Sequence, residues 1–155
     1  MIIMAPSNEE EAWQMLNTGY DYKGPVAIRY PRGSGIGIDF KKSEEKLEIG
    51  KSHTVLDSDK KEVVIFSFGT LLDSAVKAGK KFDAKIVDMR FIKPLDHKII
   101  EEVSKDYKLV VTIEDNVIAG GAGSAVNEYL LGLNTNVKVL NPVSYTHLTL
   151  PTSNG

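Results

Sequence analysis

A regular alternation between residues 61 and 141 restricts the fold more than any other feature. Val63-Val64-Ile65-Phe66 is an unbroken apolar run. A run without polar alternation fits a strand covered on both faces, the usual situation in a parallel sheet. Gly69-Thr70 ends it, and a helix is expected from about Leu71 to Lys81. Lys85-Ile86-Val87-Asp88-Met89 reads as a second strand. Pro94 is expected to open a second helix, with Leu95, Ile99, Ile100 and Val103 as its buried side. Leu109 to Ile113 is a third strand, Gly120-Gly121-Ala122-Gly123 leads into a third helix through Leu131, and Val137 to Leu140 is a fourth strand. Short strand–helix connections imply parallel strands joined by right-handed crossovers. The expected class is α/β, a three-layer sandwich with a mostly parallel sheet spanning residues 61–142.

Residues 1–33 read as strand, helix, strand, the end of a second and incomplete α/β domain whose strands are expected to lack the rest of their sheet. Ile2 to Met4 is apolar and is stopped by Pro6. Ser7 and Glu10 have capping-box spacing. Glu9, Glu10 and Glu11 suit the positive end of a helix dipole. Ala12, Met15 and Leu16 form the expected apolar stripe, Gly19 the helix end, and Val26 to Tyr30 the following strand. Residues 34–60, with Gly35, Gly37 and the charged stretch Lys41 to Lys46, read as a linker, with Leu47 to Leu56 as an extended edge segment.

Composition excludes several functions. The 155 residues carry 19 basic and 21 acidic side chains, a net charge of −2. That balance gives no electrostatic case for nucleic acid or an anionic membrane. There is no cysteine, so disulfides and thiolate chemistry are excluded. No apolar run approaches the roughly 20 residues of a membrane span. The first residues lack the basic region of a signal peptide, so a cytoplasmic setting is expected.

The strongest candidate site is Gly24-Pro25-Val26-Ala27-Ile28-Arg29-Tyr30-Pro31-Arg32-Gly33. Arg29 and Arg32 lie three apart at a strand end, where parallel sheets bind ligands. The planar guanidinium donates bidentately to phosphate or carboxylate. The alternative is a pair of surface arginines. Gly120-Gly121-Ala122-Gly123 reads either as an anion-binding helix N-terminus or as a tight turn that lets a helix approach closely. Glu114, Asp115 and Asp88 lack metal-ligand spacing. His53 and His97 read as surface residues, and Trp13 as packing.

Beyond these readings, the chain resembles the 1-deoxy-D-xylulose-5-phosphate synthase family of the transketolase superfamily. The likeness rests on Pro6-Ser7-Asn8-Glu9, Thr18-Gly19-Tyr20 and Arg29-Tyr30-Pro31-Arg32-Gly33. It continues in Phe68-Gly69-Thr70, the block from Val87 to Asp96, Glu114-Asp115-Asn116, Gly120 to Ser124 and Val126-Asn127-Glu128. Asp115 departs from the second glutamate usual there. The resemblance covers residues 1–142 and implies a C-terminal fragment: the end of a pyrimidine-binding domain followed by a C-terminal domain. It implies a thiamine-diphosphate- and Mg2+-dependent enzyme, a homodimer, that condenses pyruvate with glyceraldehyde 3-phosphate and releases CO2, feeding isoprenoid and thiamine synthesis. It implies that Arg32 holds the acceptor phosphate, with Tyr30 and Arg29 as neighbours. No catalytic, cofactor or metal residue of the family has a matching position here, so the chain alone is expected to be inactive. Transketolases and 2-oxoacid dehydrogenase beta subunits share the block from Asp88 to Asp96 and are the alternatives. A non-catalytic α/β binding module is the alternative of another class, but Ser67-Phe68-Gly69-Thr70 suits neither a receiver nor a flavodoxin.

Residues 143–155 break the pattern. Val143-Ser144-Tyr145-Thr146-His147-Leu148 is the translation of GTC TCT TAT ACA CAT CTG, one frame of a transposon mosaic-end adapter, and the likeness runs through Thr152. These residues are expected to be a non-native tail, with a native edge strand as the alternative.

Overall fold

The computed structural model describes residues 1–31 and 35–142. Arg32 and the adapter-like residues 143–155 therefore lie outside the described residues. Along the chain stand β1 (Ile2–Met4), α1 (Glu9–Asp21), β2 (Val26–Ile28), β3 (His53–Leu56), β4 (Val63–Phe68) and α2 (Leu72–Phe82). They are followed by β5 (Lys85–Asp88), β6 (Phe91–Lys93), α3 (His97–Asp106), β7 (Leu109–Glu114), α4 (Ala122–Gly132) and β8 (Lys138–Leu140).

Five strands form the main sheet in the order β3-β5-β4-β7-β8. The β5-β4-β7-β8 portion is parallel, and β3 joins β5 antiparallel as an edge. Strand β4 sorts its residues between two cores. Val64, Phe66 and Phe68 face one way and pack with Ile100 and Val103 of α3 and Val126 and Leu130 of α4. Ile65 faces the other way, with Ala75 of α2, Ala84 and Ile86. Helices on both faces of a mostly parallel sheet make the three layers expected from the alternation.

The expectation that the strands of residues 1–33 lack the rest of their sheet is corrected by the structure, in which β6 supplies a partner. β1 has a parallel partner in β2 and an antiparallel partner in β6, giving the order β2-β1-β6. Ile2, Met4, Met15 and Phe91 form its core. The sequence reading missed β6 because three residues are too few to show a period. The expected second helix also begins later than Pro94. Asp96 is its N-cap, accepting from Ile99 N–H at 3.4 Å, while its other oxygen holds Ser52 N–H and hydroxyl at 2.9 and 2.8 Å.

The start of α1 is shifted by one residue from the expected cap. Asn8 is the N-cap and accepts from Glu11 N–H at 2.9 Å. Glu11, Met15 and Thr18 are the buried residues of the helix, whereas Leu16 is 54% exposed. An apolar-stripe argument cannot find this register, because one member of the buried row is a charge. The linker folds back over the outer side of α1: Trp13 and Asn17 both donate to Ser43 O, at 2.8 and 2.7 Å, and Leu47 N–H donates to Thr18 Oγ1 at 2.8 Å. At the far edge of the main sheet, every residue of β8 is exposed.

Gly79 brings α2 close to β5. A Cβ there would lie 2.5 Å from Ile86 Cδ1 and 3.3 Å from Ala84 O. Alanine gains about 1 kcal/mol over glycine inside a helix, but overpacking a fixed contact costs about 1–3 kcal/mol. Gly79→Ala is therefore expected to lower stability in urea unfolding, and a gain would show that α2 shifts freely.

Candidate functional site

In doubly wound sheets, a crevice opens beyond the carboxyl ends of adjacent strands whose connections leave in opposite directions. Here those strands are β4 and β7. From β4 the chain runs through α2 to β5 on one side; from β7 it runs through α4 to β8 on the other. Phe68, Gly69, Thr70 and Asp115 form one wall of the crevice, and Ala5, Pro6, Arg29, Tyr30 and Pro31 form the other. Gly69 turns with φ +79°, a conformation that a side chain disfavours. A Cβ there would lie 3.6 Å from Ala5 Cβ, so the walls meet at this point.

The structure thus places Arg29 and Tyr30 at the sheet switch point. Arg29 N–H donates to Met4 O at 2.8 Å, which continues the β1–β2 ladder past Ile28. Both side chains are exposed, Tyr30 at 73%. Among the described residues no carboxylate is paired with the Arg29 guanidinium. An exposed, unpaired guanidinium beside a crevice is suited to an anionic ligand.

The glycine run is a turn whose anion site is already filled. Glu114 ends β7, is 2% exposed, and accepts from Ala122 N–H at 3.0 Å and Gly123 N–H at 2.8 Å. The carboxylate occupies the N-terminus of α4, where a phosphate would otherwise sit. Glycine is required around it: a Cβ at Gly121 would lie 2.5 Å from Glu114 Oε1, and one at Gly123 would lie 2.5 Å from Thr112 Oγ1. Asp115, the next residue, lines the crevice instead. His53 is exposed on β3, and His97 stacks on Tyr129 with ring centroids 3.9 Å apart. Among the described residues no group of three or more histidines and carboxylates could hold a metal ion, and no helix is long and apolar enough to cross a membrane.

Sequence reasoning missed a buried ionic cluster beside the crevice. Arg90 Nε donates to Glu11 Oε1 at 2.7 Å, and Glu11 Oε2 accepts from Ser7 N–H and hydroxyl at 2.8 and 2.9 Å. Arg90 N–H donates to Asp88 Oδ1 at 3.2 Å. Burial, then the charge of Glu11, pushes Asp88 up to about 8, against the opposing pull of Ser7 and Arg90. The signal was present as Glu11 in an acidic triplet and Arg90 in the Val87 to Asp96 block. Nothing local connects the two.

Two outcomes are expected. In Glu114→Gln, an amide nitrogen must face one of the two helix N–H groups. One buried donor is then unsatisfied, at a cost of about 1–3 kcal/mol in unfolding experiments. For Asp88, the folded protein keeps the proton up to about pH 8, whereas the unfolded chain releases it near 3.8. The folded state therefore binds more protons in this interval, and this group's contribution to stability is lost as pH rises from about 4 to 8. Asp88→Asn is expected to flatten thermal stability over that range and to be the more stable protein at pH 9. An unchanged slope would place the titration elsewhere.

The family model described as "Transketolase, C-terminal domain" matches residues 52–152. The 1-deoxy-D-xylulose-5-phosphate synthase of Idiomarina loihiensis is 49% identical over 130 residues, covering 84% of this chain and 21% of the relative. That of a Marinomonas species is 48% identical over 151 residues, covering 97% and 23%. The chain thus spans less than a quarter of the length of these curated relatives. Among solved structures, a split gene transketolase described as an inactive beta4 tetramer superposes with a TM-score of 0.81 at 28% identity, covering 92% of this chain and 48% of that one.

Proposed function

Since the chain belongs to the transketolase C-terminal domain family, we propose that it forms part of a 1-deoxy-D-xylulose-5-phosphate synthase. The proposed reaction joins the two-carbon unit left when pyruvate loses CO2 to the aldehyde of glyceraldehyde 3-phosphate. The product serves isoprenoid and thiamine precursor synthesis. The identity to synthases supports the family-level choice. The observation that carries the role of this chain is the seating of the Arg29–Tyr30 strand end at the sheet switch point.

The acceptor carries a phosphate dianion; Arg32 is the residue assigned to hold it, and Arg29, three positions earlier in the sequence, adds positive charge at the crevice rim. A planar guanidinium can grip phosphate with two hydrogen bonds. Thiamine diphosphate and Mg2+ are assigned to residues outside this chain. The described residues do not fit them: the one glycine-rich helix N-terminus is filled by Glu114, and no acidic group is assembled for a cation. The isolated chain is accordingly expected to show no turnover. A cytoplasmic homodimer belongs to the same reading of the longer protein.

The test is a chimera: the Idiomarina loihiensis synthase carrying this chain's residues over the 130 matched positions. Losing a charged hydrogen bond costs about 1.5–3 kcal/mol, roughly ten- to a hundredfold in affinity. Arg32→Ala is expected to lower kcat/KM for glyceraldehyde 3-phosphate by that factor and leave the KM for pyruvate within about twofold. Arg32→Lys should recover only part, because ammonium keeps the charge and loses the fork. An unchanged acceptor kcat/KM returns Arg32 to the protein surface.

A further inference from the structure

We infer that Arg90 is a positioning residue, which fixes the crevice wall bearing Arg29 and Tyr30 against the wall made by the sheet switch point. The inference rests on the functional reading above only for the identity of the acceptor.

Arg90 leaves β5 with φ +57°, in the left-handed region that non-glycine residues seldom occupy. Three of its groups are engaged there. Its N–H donates to Asp88 Oδ1, its carbonyl accepts from Ala5 N–H at 2.8 Å, and its Nε donates to Glu11 Oε1. Glu11 in turn holds Ser7 through two hydrogen bonds. One residue of the main domain therefore grips both ends of the turn from Ala5 to Glu11. That turn carries the near wall: Met4 O accepts from Arg29 N–H, and Ala5 and Pro6 line the crevice beside Gly69.

The grip lies between the two sheets rather than within either. The cores of the five-stranded sheet and of β2-β1-β6 are distinct apolar clusters, to which Met89 and Phe91 on either side of Arg90 belong, one to each. A left-handed residue is more simply supplied by glycine. An arginine at this position meets the backbone geometry at a steric disadvantage, and what it adds is the link to Glu11.

Arg90→Gly combined with Glu11→Gln removes the ion pair without stranding a buried carboxylate, and glycine suits φ +57°, so the double variant is expected to fold. In this chain, amide hydrogen exchange at Ala5 and Arg29 is expected to accelerate at least about tenfold while Val110, in β7, is unchanged. In the chimera, the KM for glyceraldehyde 3-phosphate is expected to rise about tenfold, with the KM for pyruvate within about twofold. Arg90→Lys, which keeps the charge, should recover part of the change in both. Unchanged exchange at Ala5 would overturn the inference, and so would acceleration at Val110 in step with Ala5, which would make Arg90 a stability residue. Equal rises in both KM values would also overturn it. If the chimera with native Arg90 makes no product, the functional reading fails, and exchange at Ala5 still decides the clamp.

Discussion

Glu11 and Arg90 are separated by 79 positions in sequence and by 2.7 Å in space, in a contact where both side chains are largely withdrawn from water. Desolvation consumes much of the attraction in such a pair, and a well-packed apolar replacement is often as stable. Removing one partner is a different matter, because it strands a buried charge. The pair therefore contributes more to choosing one arrangement than to total stability. A small sheet resting on a larger one could slide by a residue if only Ile2, Met4, Met15 and Phe91 held it. Only one seating also brings Arg90 to Glu11, whose other oxygen Ser7 holds locally.

Asp88 shows the cost of this arrangement. It stands opposite Ser67 in the parallel β4–β5 ladder, and the Ser67 hydroxyl is buried without a hydrogen-bond partner. Two carboxyls and one guanidinium share the space, so one carboxyl keeps its proton. With Asp88 neutral, Glu11 and Arg90 balance; with Asp88 ionised, the site carries a surplus negative charge in a poorly solvated place.

The parallel strands were legible because each carries an apolar run, Val63 to Phe66, Ile86-Val87, Leu109 to Val111 and Val139-Leu140, with helix-forming segments between them. Strand order was not legible: nothing in Val63 to Phe66 says that it lies between β5 and β7. Hence Arg29 and Tyr30 could be read as a strand end, while their opposing wall, Thr70 and Asp115, could not be assigned to them. The same limit hid β6 and the burial of Glu11, whose reasons lie at distant positions. The ambiguity at Gly120 to Gly123 was of another kind. Backbone N–H groups at a helix N-terminus attract any anion, and sequence alone could not say that the anion is the protein's own Glu114.

The topology also sets an order of assembly. Val64 pairs with Lys85, 21 positions on, whereas Ile3 pairs with Lys93, 90 positions on. Closing the longer loop costs about 1.3 kcal/mol more chain entropy, taking the cost to grow as three-halves RT times the logarithm of length. The β4–β5 ladder also pairs four residues, against two between β1 and β6. Along the chain, Ile2 to Met4 find a parallel partner early, in Val26 to Ile28, and their antiparallel partner, Phe91 to Lys93, only after the strands β3, β4 and β5 have intervened. One edge of the apolar β1 therefore stays open until a distant segment closes it, and the acidic run Glu9 to Glu11 stands beside that edge, where charge discourages pairing with another chain.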